Sequence, residues 1–331
     1  MNNNTQCIIT GGAGFIGSHL ADKLLEHGCK VTAFDNLSSG KINNISHNFG
    51  NPNFKFFKGD LSSIQDIKKS LEEQEVLFHL AAYSKVYVED EGIHALYDQN
   101  IGNTIKLLEG VRKSQVKKII FTSSSTIYGS ASLLPTPEDY GPAVPESHYG
   151  ASKLACEALV STYCKQYGIS GIILRLANIV GSRSDKGIIY DFIRKLKANP
   201  KELAILGNGF QSKSYMHISD FTGCLHHLLL ILESSREQNS NNVNVFNVGN
   251  IDQINAISIA NEICGMQKLG KVSYHFQEHS NGKGWIGDVT QMLLDISKLK
   301  STGWAPQNNS REAIIISARE MIKELSNQSV T

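Results

Sequence analysis

The sequence predicts an α/β fold in which a doubly wound parallel sheet is joined to a smaller mixed α/β lobe. In the first half of the chain, short apolar runs rich in β-branched and aromatic residues alternate with helical patterns. Such alternation is typical of repeated βαβ units. After about Asn178 the pattern changes to longer loops, mixed helices and isolated strands, so a second lobe is expected there.

The predicted strands are short and regularly spaced. They are Cys7–Thr10, Val31–Phe34, Phe54–Phe57, Val76–His79, Lys118–Phe121 and Gly171–Leu174, with a helix from about Phe15 to His27 between the first two. A further strand pattern, Val243–Val248, could return to the same sheet. We therefore expect one domain of residues 1–178 and 215–249 and a second domain of residues 179–214 and 250–331.

Composition and charge restrict the function. The chain of 331 residues has 32 Lys and Arg against 31 Asp and Glu, so it lacks the basic excess that binds nucleic acid or anionic lipid. Its longest apolar run, Leu225–Leu232, is far shorter than the roughly 20 residues of a membrane span. The six cysteines include no C-x-x-C pair, and the N-terminus has no signal-peptide pattern. We expect a cytoplasmic protein with no metal site, no nucleic-acid partner and no membrane partner.

A glycine motif lies between the first predicted strand and the first predicted helix. Gly11, Gly14 and Gly17 form a G-x-x-G-x-x-G pattern, which permits a tight turn and close approach of the backbone to a pyrophosphate. The helix that begins near Phe15 would direct its free N–H groups at that anion. Asp35 ends the second strand, where a carboxylate binds an adenosine ribose and repels a 2′-phosphate. The pattern predicts a Rossmann-type site for NAD; a tight packing turn beside a surface aspartate is the alternative.

Tyr149 and Lys153 are spaced four residues apart at the start of a predicted helix. At this spacing the phenol and the ammonium share one helix face. We expect the cation to lower the tyrosine pKa from about 10 and to make Tyr149 a general base toward an alcohol. The alternative is a surface tyrosine beside a solvated lysine.

Five hydroxyl residues follow the strand that ends near Phe121. The carboxyl end of a strand in an open α/β sheet is where ligands bind, so residues 122–126 could hold a polar substrate; a turn rich in Ser and Thr is the alternative. His79, which ends a buried strand, is interpreted as a satisfied core residue.

These motifs occur together in an order that resembles the extended short-chain dehydrogenases/reductases. The resemblance is to the NAD-dependent nucleotide-sugar epimerase/dehydratase family, in particular its UDP-hexose 4-epimerase branch, and it runs from about Cys7 to about Ile322. The residues that carry it are Thr10–Gly17, Asp35–Leu37, Gly59–Leu61, His79–Ala82, Asn100, Ser123–Ser125, Tyr149, Lys153 and Arg175–Asn178.

The resemblance also implies a role for individual residues. The implied catalytic residues are Ser124, Tyr149 and Lys153. The implied cofactor contacts are Gly11, Gly14, Phe15, Ile16, Gly17, Asp35, Asn36, Ser38, Gly40, Asp60, Leu61, Leu80, Ala81, Ala82, Asn100, Tyr149 and Lys153. The implied substrate contacts are Lys85, Ser124, Ser125, Tyr149, Asn178, Ala204, Leu206, Lys213, Asp288 and Met292.

The chain departs from the family pattern beside the implied catalytic hydroxyl. Where the dehydratases of the family have an Asp-Glu pair, this chain has Ser125 and Thr126. A decarboxylase would also need a glutamate in that stretch. Dehydration and decarboxylation are therefore disfavoured.

Other departures affect the implied substrate contacts. Trp285 stands where relatives have an arginine that binds the nucleotide; Lys283 could compensate for the lost charge, or the pocket could be looser. Lys213 also replaces a usual arginine and cannot bind a diphosphate in bidentate fashion. Met292 occupies a position that limits sugar size in 4-epimerases, and its bulk favours plain hexoses over N-acetylated ones.

We expect an enzyme that epimerises a nucleotide sugar at carbon 4, such as UDP-glucose and UDP-galactose, by transient hydride transfer to tightly bound NAD. The alternatives are a 4-keto-sugar reductase, an epimerase of an N-acetylated sugar and a catalytically idle NAD-binding module. The resemblance also implies a homodimer formed through helices of the first domain, including the helix that carries Tyr149.

Overall fold

The computed structural model describes residues 4–87, 90–234 and 243–327. The strands are β1 (Gln6–Thr10), β2 (Lys30–Asp35), β3 (Phe54–Lys58), β4 (Val76–His79), β5 (Lys118–Ser124), β6 (Ser170–Leu176), β7 (Asn178–Val180), β8 (Glu202–Leu206), β9 (Ser212–Lys213), β10 (Tyr215–His217), β11 (Val243–Val248), β12 (Ile254–Asn255), β13 (Ser273–Gln277) and β14 (Gln291–Met292). The α-helices are α1 (Phe15–Glu26), α2 (Ile64–Ser70), α3 (Ile93–Tyr97), α4 (Asn103–Val111), α5 (His148–Tyr167), α6 (Ile188–Ala198), α7 (Ile218–Ser234), α8 (Ala256–Met266), α9 (Ser297–Lys300) and α10 (Ser310–Asn327).

Seven strands form one sheet in the order β11-β6-β5-β4-β1-β2-β3. The pairings from β3 through β2, β1 and β4 to β5 are parallel, and Cys7 of β1 faces Val31 of β2 and Val76 of β4. The chain first builds the sheet outward from β1 to β3 and then resumes on the other side with β4. The carboxyl ends of β1 and β4 therefore flank a topological switch point, the place where such sheets bind ligands. The prediction of a Rossmann-type α/β fold is confirmed, as is the return of β11 to the sheet.

The core of the large sheet explains why its strands appear in the sequence as nearly continuous apolar runs. Ile8, Leu77 and Ile119, on three neighbouring strands, are each at most 1% exposed, and Leu107 of α4 and Val160 of α5 belong to the same buried cluster. Strands covered by helices on both faces have no solvent-facing side and so lose the apolar-polar alternation.

The described residues divide into two compact units. The first unit consists of Met1–Ile127, His148–Arg175 and Thr222–Phe246, and the second of Tyr128–Ser147, Leu176–Phe221 and Asn247–Thr331. The sequence-based division differs from this one because it kept residues 128–147, 176–178, 215–221 and 247–249 with the first domain. The assignment of cofactor binding to one domain and substrate binding to the other stays a prediction.

The second unit has small sheets and its own core. Its sheets are β10-β7, β12-β9-β14 and β13-β8, with parallel pairs between β10 and β7, β14 and β9, and β13 and β8. Phe192 of α6, Ile205 of β8, Ile259 of α8 and Ile314 of α10 are buried together. The packing of helices on short strands fits the predicted mixed α/β lobe.

Two features of the whole chain bear on its function classes. Within the residues that the structure describes, no helix is both long and apolar enough to cross a membrane, and no three metal-ligating side chains come together. All six cysteine side chains are buried.

Candidate active site

The glycine turn connects β1 to α1 in a conformation that requires glycine. Gly11 has a φ of +73°, and a Cβ atom built on Gly17 would lie 2.1 Å from the Gly11 carbonyl oxygen. Helix α1 begins at Phe15, followed by Ile16, and its N-cap Gly14 supplies no side-chain acceptor to the first turn. The N–H groups of this first turn and the positive end of the helix dipole are therefore suited to the pyrophosphate of NAD.

Asp35 is fixed beside this turn at the carboxyl end of β2. It is 7% exposed, and its carboxylate accepts hydrogen bonds from the N–H of Ala13 at 3.0 Å and of Leu37 at 2.8 Å. Burial raises the pKa of Asp35 above its usual value, while the two backbone N–H groups oppose that shift. A Cβ atom on Gly40 would lie 2.7 Å from the same carboxylate, so Gly40 gives Asp35 its space. The predicted contact of Asp35 with a ribose stays a prediction.

A second polar group follows β2 and β3. The side-chain amide of Asn36 donates to the Asp60 carboxylate at 2.8 Å and its oxygen accepts from the Ser38 N–H at 2.9 Å. The hydrogen bond from Asn36, followed by those from Ser62, lowers the pKa of Asp60. Leu61, the next residue, is 8% exposed. Four implied cofactor residues thus form one cluster at the carboxyl edge of the sheet.

The segment after β4 is held against the glycine turn by its backbone. The N–H groups of Leu80 and Ala81 both donate to the Thr10 hydroxyl at 3.2 Å. A Cβ atom on Gly11 would approach the Ala81 backbone to 3.1 Å, a tight contact that favours glycine together with the positive φ of Gly11. Ala82, the third implied cofactor residue of the segment, is half-buried.

Asn100 lies in a π-helical turn, Asp98–Gly102, and is 3% exposed. Its side-chain oxygen accepts from the Tyr83 N–H at 2.7 Å, and its amide donates to the Ser152 hydroxyl at 2.9 Å. In the protein alone, Asn100 therefore ties the segment after β4 to α5. Its direct contact with the cofactor stays a prediction.

His79 is a core residue, as predicted, but it also supports the site. Its Nδ1 lies 2.9 Å from the Thr10 hydroxyl and its Nε2 lies 3.0 Å from the Thr104 hydroxyl. Burial, and next the charge of Lys153, lowers the pKa of His79 to about 3, so the ring is neutral. Through Thr10 it is linked to the two N–H groups that place Leu80 and Ala81. Sequence reasoning missed this link because its members are 69 and 25 residues apart.

The three implied catalytic residues all lie in the first unit. Strand β5 ends at Ser124, and Tyr149 and Lys153 lie on the first turns of α5. The Lys153 ammonium donates to the Thr122 carbonyl at 2.6 Å and lies 6.0 Å from the centre of the Tyr149 ring. Helix α5 therefore brings the phenol and the ammonium to the end of β5, which confirms the predicted position of this pair on one helix.

The prediction that Lys153 lowers the pKa of Tyr149 is wrong for the protein alone. Burial raises the pKa of Tyr149 to about 12 and lowers the pKa of Lys153 to about 8. Loss of solvation is the largest cause of both shifts. The Lys153 ammonium itself donates to the Thr122 carbonyl and lies 4.7 Å from the centre of the Phe121 ring. Formation of the phenolate thus needs additional positive charge near Tyr149, such as that of an oxidised nicotinamide ring.

The hydroxyl of Ser124 accepts two hydrogen bonds from one residue. The N–H of Thr126 donates to it at 3.2 Å, and the Thr126 hydroxyl donates to it at 2.9 Å. Ser125, between them, is 9% exposed. The sequence suggested only that Thr126 replaces an acidic residue of the dehydratases. Its position two residues after Ser124 was the available signal for a hydrogen bond between the two side chains.

Three implied substrate residues come together in the second unit. The Lys213 ammonium forms an ion pair with Asp288 at 2.8 Å, and the Asp288 side chain is fully buried. Met292 pairs with Lys213 in the sheet of β9 and β14 and is 9% exposed. Trp285 joins this group, because the Lys213 ammonium lies 5.5 Å from the centre of a Trp285 ring. The structure thus brings together residues up to 79 positions apart in the chain.

The remaining implied substrate residues lie on other elements. Asn178 begins β7 and donates to the Ser214 carbonyl at 3.2 Å. Ala204 and Leu206 lie on β8, where the Leu206 side chain is exposed. Lys85 is an exposed residue of the first unit. Lys283 forms an ion pair with Glu146, and its compensation for the arginine absent at Trp285 stays a prediction.

Comparisons with known proteins agree with these features. Residues 7–249 match the NAD dependent epimerase/dehydratase family. A putative UDP-glucose 4-epimerase of Methanocaldococcus jannaschii is 33% identical over 315 residues, which cover 93% of this chain and 95% of that protein. A crystal structure of a UDP-galactose 4-epimerase superposes with a TM-score of 0.83 at 35% identity and covers 97% of this chain and 100% of its own. A UDP-N-acetylglucosamine 4-epimerase from Methanobrevibacter ruminantium superposes with a TM-score of 0.81 at 29% identity, covering 97% of this chain and 99% of its own.

Proposed function

This chain belongs to the NAD-dependent epimerase/dehydratase family, and on that premise we propose that it interconverts UDP-glucose and UDP-galactose by epimerisation at carbon 4. The observation that carries the proposal is the placement of Tyr149 and Lys153 at the end of β5, where Ser124 lies. A general base, a cation and a hydroxyl are the groups that a reversible oxidation of an alcohol requires.

Each of the three residues has a distinct role in this proposal. Tyr149 takes the proton from the sugar 4-hydroxyl and later returns it. Lys153, which keeps its position through Thr122, stabilises the phenolate by its charge. Ser124 donates a hydrogen bond to the same sugar oxygen as that oxygen becomes a carbonyl.

NAD, when bound, would supply a hydride acceptor and donor for carbon 4, and inversion with no net oxidation would require the 4-keto sugar to turn before the hydride returns. Residues 122–128, which include Ser124, contain no carboxylate, so this segment does not supply a further acid and base. Elimination of water would need such a pair. The side chains at the end of β5 therefore support epimerisation over dehydration.

The second unit supports a nucleotide sugar as the substrate. Lys213 offers a cation for the diphosphate, and the buried Asp288 carboxylate sets the position of that cation. Met292 lies next to Lys213 in the sheet and is bulky, which favours a plain hexose. Asn178, Ala204 and Leu206 are the proposed contacts to the rest of the nucleotide.

A second candidate is a 4-epimerase of N-acetylated sugars. The observation that favours it is the likeness to the UDP-N-acetylglucosamine 4-epimerase, which extends over nearly the whole chain. The two candidates share the chemistry at carbon 4 and differ only in the space around the group at carbon 2.

The test has two parts. The purified protein is denatured and the released NAD is quantified against protein concentration. Intact enzyme is incubated with UDP-glucose or UDP-galactose, and the epimers are separated by chromatography. We expect nearly one NAD per chain and interconversion of the two sugars without added cofactor.

Other outcomes identify the alternatives. Turnover of UDP-N-acetylglucosamine with none of UDP-glucose would select the second candidate. Consumption of added NADH in proportion to product would identify a net oxidoreductase and contradict epimerisation.

A further inference from the structure

Ser124 is the last residue of β5, and the chain turns directly after it into a 3-10 segment, Ser125–Tyr128. This turn folds Thr126 back over the strand end. Both the N–H and the hydroxyl of Thr126 then point at the Ser124 oxygen, at 3.2 Å and 2.9 Å. Short turns of this kind are typical of Ser and Thr side chains.

A serine hydroxyl has two acceptor positions and one donor. Thr126 fills both acceptor positions of Ser124. The remaining O–H group can therefore act only as a donor. Within the described parts of the chain it has no acceptor of its own, and Ser124 is half-buried rather than enclosed.

We propose that Thr126 is a positioning residue, which fixes the Ser124 hydroxyl as a hydrogen-bond donor to the sugar 4-oxygen. The proposal rests on the proposed function and adds the direction of the hydrogen bond between Ser124 and the sugar 4-oxygen. A serine free to rotate could instead accept a hydrogen bond from the 4-hydroxyl. The proton of that hydroxyl would then point at Ser124, and Tyr149 could not take it. With its acceptor positions filled, Ser124 can only stabilise the oxygen as it becomes a carbonyl.

The proton balance of the reaction is unaffected by Thr126. The 4-hydroxyl proton passes to Tyr149 when the carbon–hydrogen bond breaks, and it returns from Tyr149 when that bond forms again. Ser124 keeps its own proton throughout and only shares it. Thr126 acts on the rate through the orientation of Ser124 and does not itself touch the substrate.

The direct test is Thr126→Val, which replaces the donating hydroxyl by a methyl group of similar size. We expect kcat to fall about fivefold, the effect of one ordinary hydrogen bond, with KM unchanged within about twofold. Thr126→Ser restores the hydroxyl and should restore most of kcat. Thr162→Val is the matched control, because the Thr162 hydroxyl donates to Ala158 on an exposed part of α5 and kcat should not change.

A double-mutant cycle separates a positioning role from a merely structural one. If Thr126 acts through Ser124, Thr126→Val should lower kcat in the wild-type background and have no further effect in a Ser124→Ala background. An equal loss of kcat in both backgrounds would overturn the proposal. So would a wild-type kcat in Thr126→Val, or an effect on KM alone.

Crystal structures of the wild type and of Thr126→Val decide the geometry independently of turnover. We expect the Ser124 and Thr126 hydroxyls within hydrogen-bond distance in the wild type and a reoriented Ser124 in the variant. A wild type that does not turn over UDP-glucose contradicts the proposed function alone. Hydroxyls more than 3.5 Å apart in the wild-type crystal contradict the present proposal, whatever the substrate.

Discussion

Tyr149 lies in the first turn of α5, in surroundings that favour its protonated form, and burial raises its pKa to about 12. Its phenolate form is nevertheless the proposed base. We expect Tyr149→Phe to lower kcat by about a hundredfold or more, the usual contribution of a general base. Steady-state kinetics with UDP-galactose measures the loss, and bound NAD and Tm serve as controls. Turnover within about threefold of wild type would refute the role of Tyr149.

His79 gives the chain a specific pH dependence of stability. Its pKa is about 3 in the folded chain and 6.5 for an ordinary histidine, so between these values only the unfolded chain takes up the proton. The contribution of neutral His79 to the free energy of unfolding is fully present above about pH 6.5. It is lost as the pH falls toward 3, by up to about 1.4 kcal/mol per pH unit.

Urea unfolding at pH 7.5, 6.5 and 5.5 measures this effect. We expect His79→Gln to be less stable than wild type at pH 7.5, because the hydrogen bonds to Thr10 and Thr104 are disturbed, and to lose less stability on acidification. His94→Gln is the matched control, since His94 is an exposed histidine of α3. Parallel pH dependence in His79→Gln and wild type would show that His79 is not the group responsible.

At the scale of elements, the turn between β1 and α1 depends on glycines that leave no room for a side chain. A Cβ atom on Gly17 would lie 2.1 Å from the Gly11 carbonyl oxygen, so Gly17→Ala must displace the turn. We expect NAD binding at least about tenfold weaker, a cost of about 1.4 kcal/mol. Equilibrium dialysis with NAD, after removal of bound cofactor, measures the affinity.

The control for this substitution is Gly265→Ala in α8, where an added Cβ atom meets nothing within 4 Å. The Gly265→Ala variant should bind NAD as wild type does, and the alanine should stabilise the helix by up to about 1 kcal/mol. Unchanged NAD affinity in Gly17→Ala would show that the turn can adjust and would contradict its proposed role.

At the scale of the whole molecule, we propose a homodimer formed through α4 and α5 of the first unit. Ile105 on α4 and Tyr167 at the end of α5 are 39% and 44% exposed, so both helices present large side chains that a partner could cover. Light scattering after size-exclusion chromatography should give twice the chain mass of 36.4 kDa. Ile105→Glu should shift this mass toward one chain, whereas Ile64→Glu on α2, also exposed, should not. A single-chain mass for wild type would contradict the dimer.

Features that depend on neighbouring residues could be predicted from the sequence. The glycine spacing predicted the turn because backbone sterics are local, and the four-residue spacing of Tyr149 and Lys153 placed them on one helix face. The apolar runs predicted the strands, since burial of a sheet on both faces leaves its mark on each strand separately.

Features that depend on solvation and on distant partners became known only from the folded structure. The burial of Tyr149 and Lys153 set the direction in which their pKa values shift, and this direction cannot be obtained from the spacing of the two residues. The pairing of Lys213 with Asp288, 75 residues later, and the double hydrogen bond of His79 depend on how the chain folds back on itself. Electrostatic and hydrogen-bond energies depend on distance in space, and the linear sequence fixes that distance only within a single turn or helix.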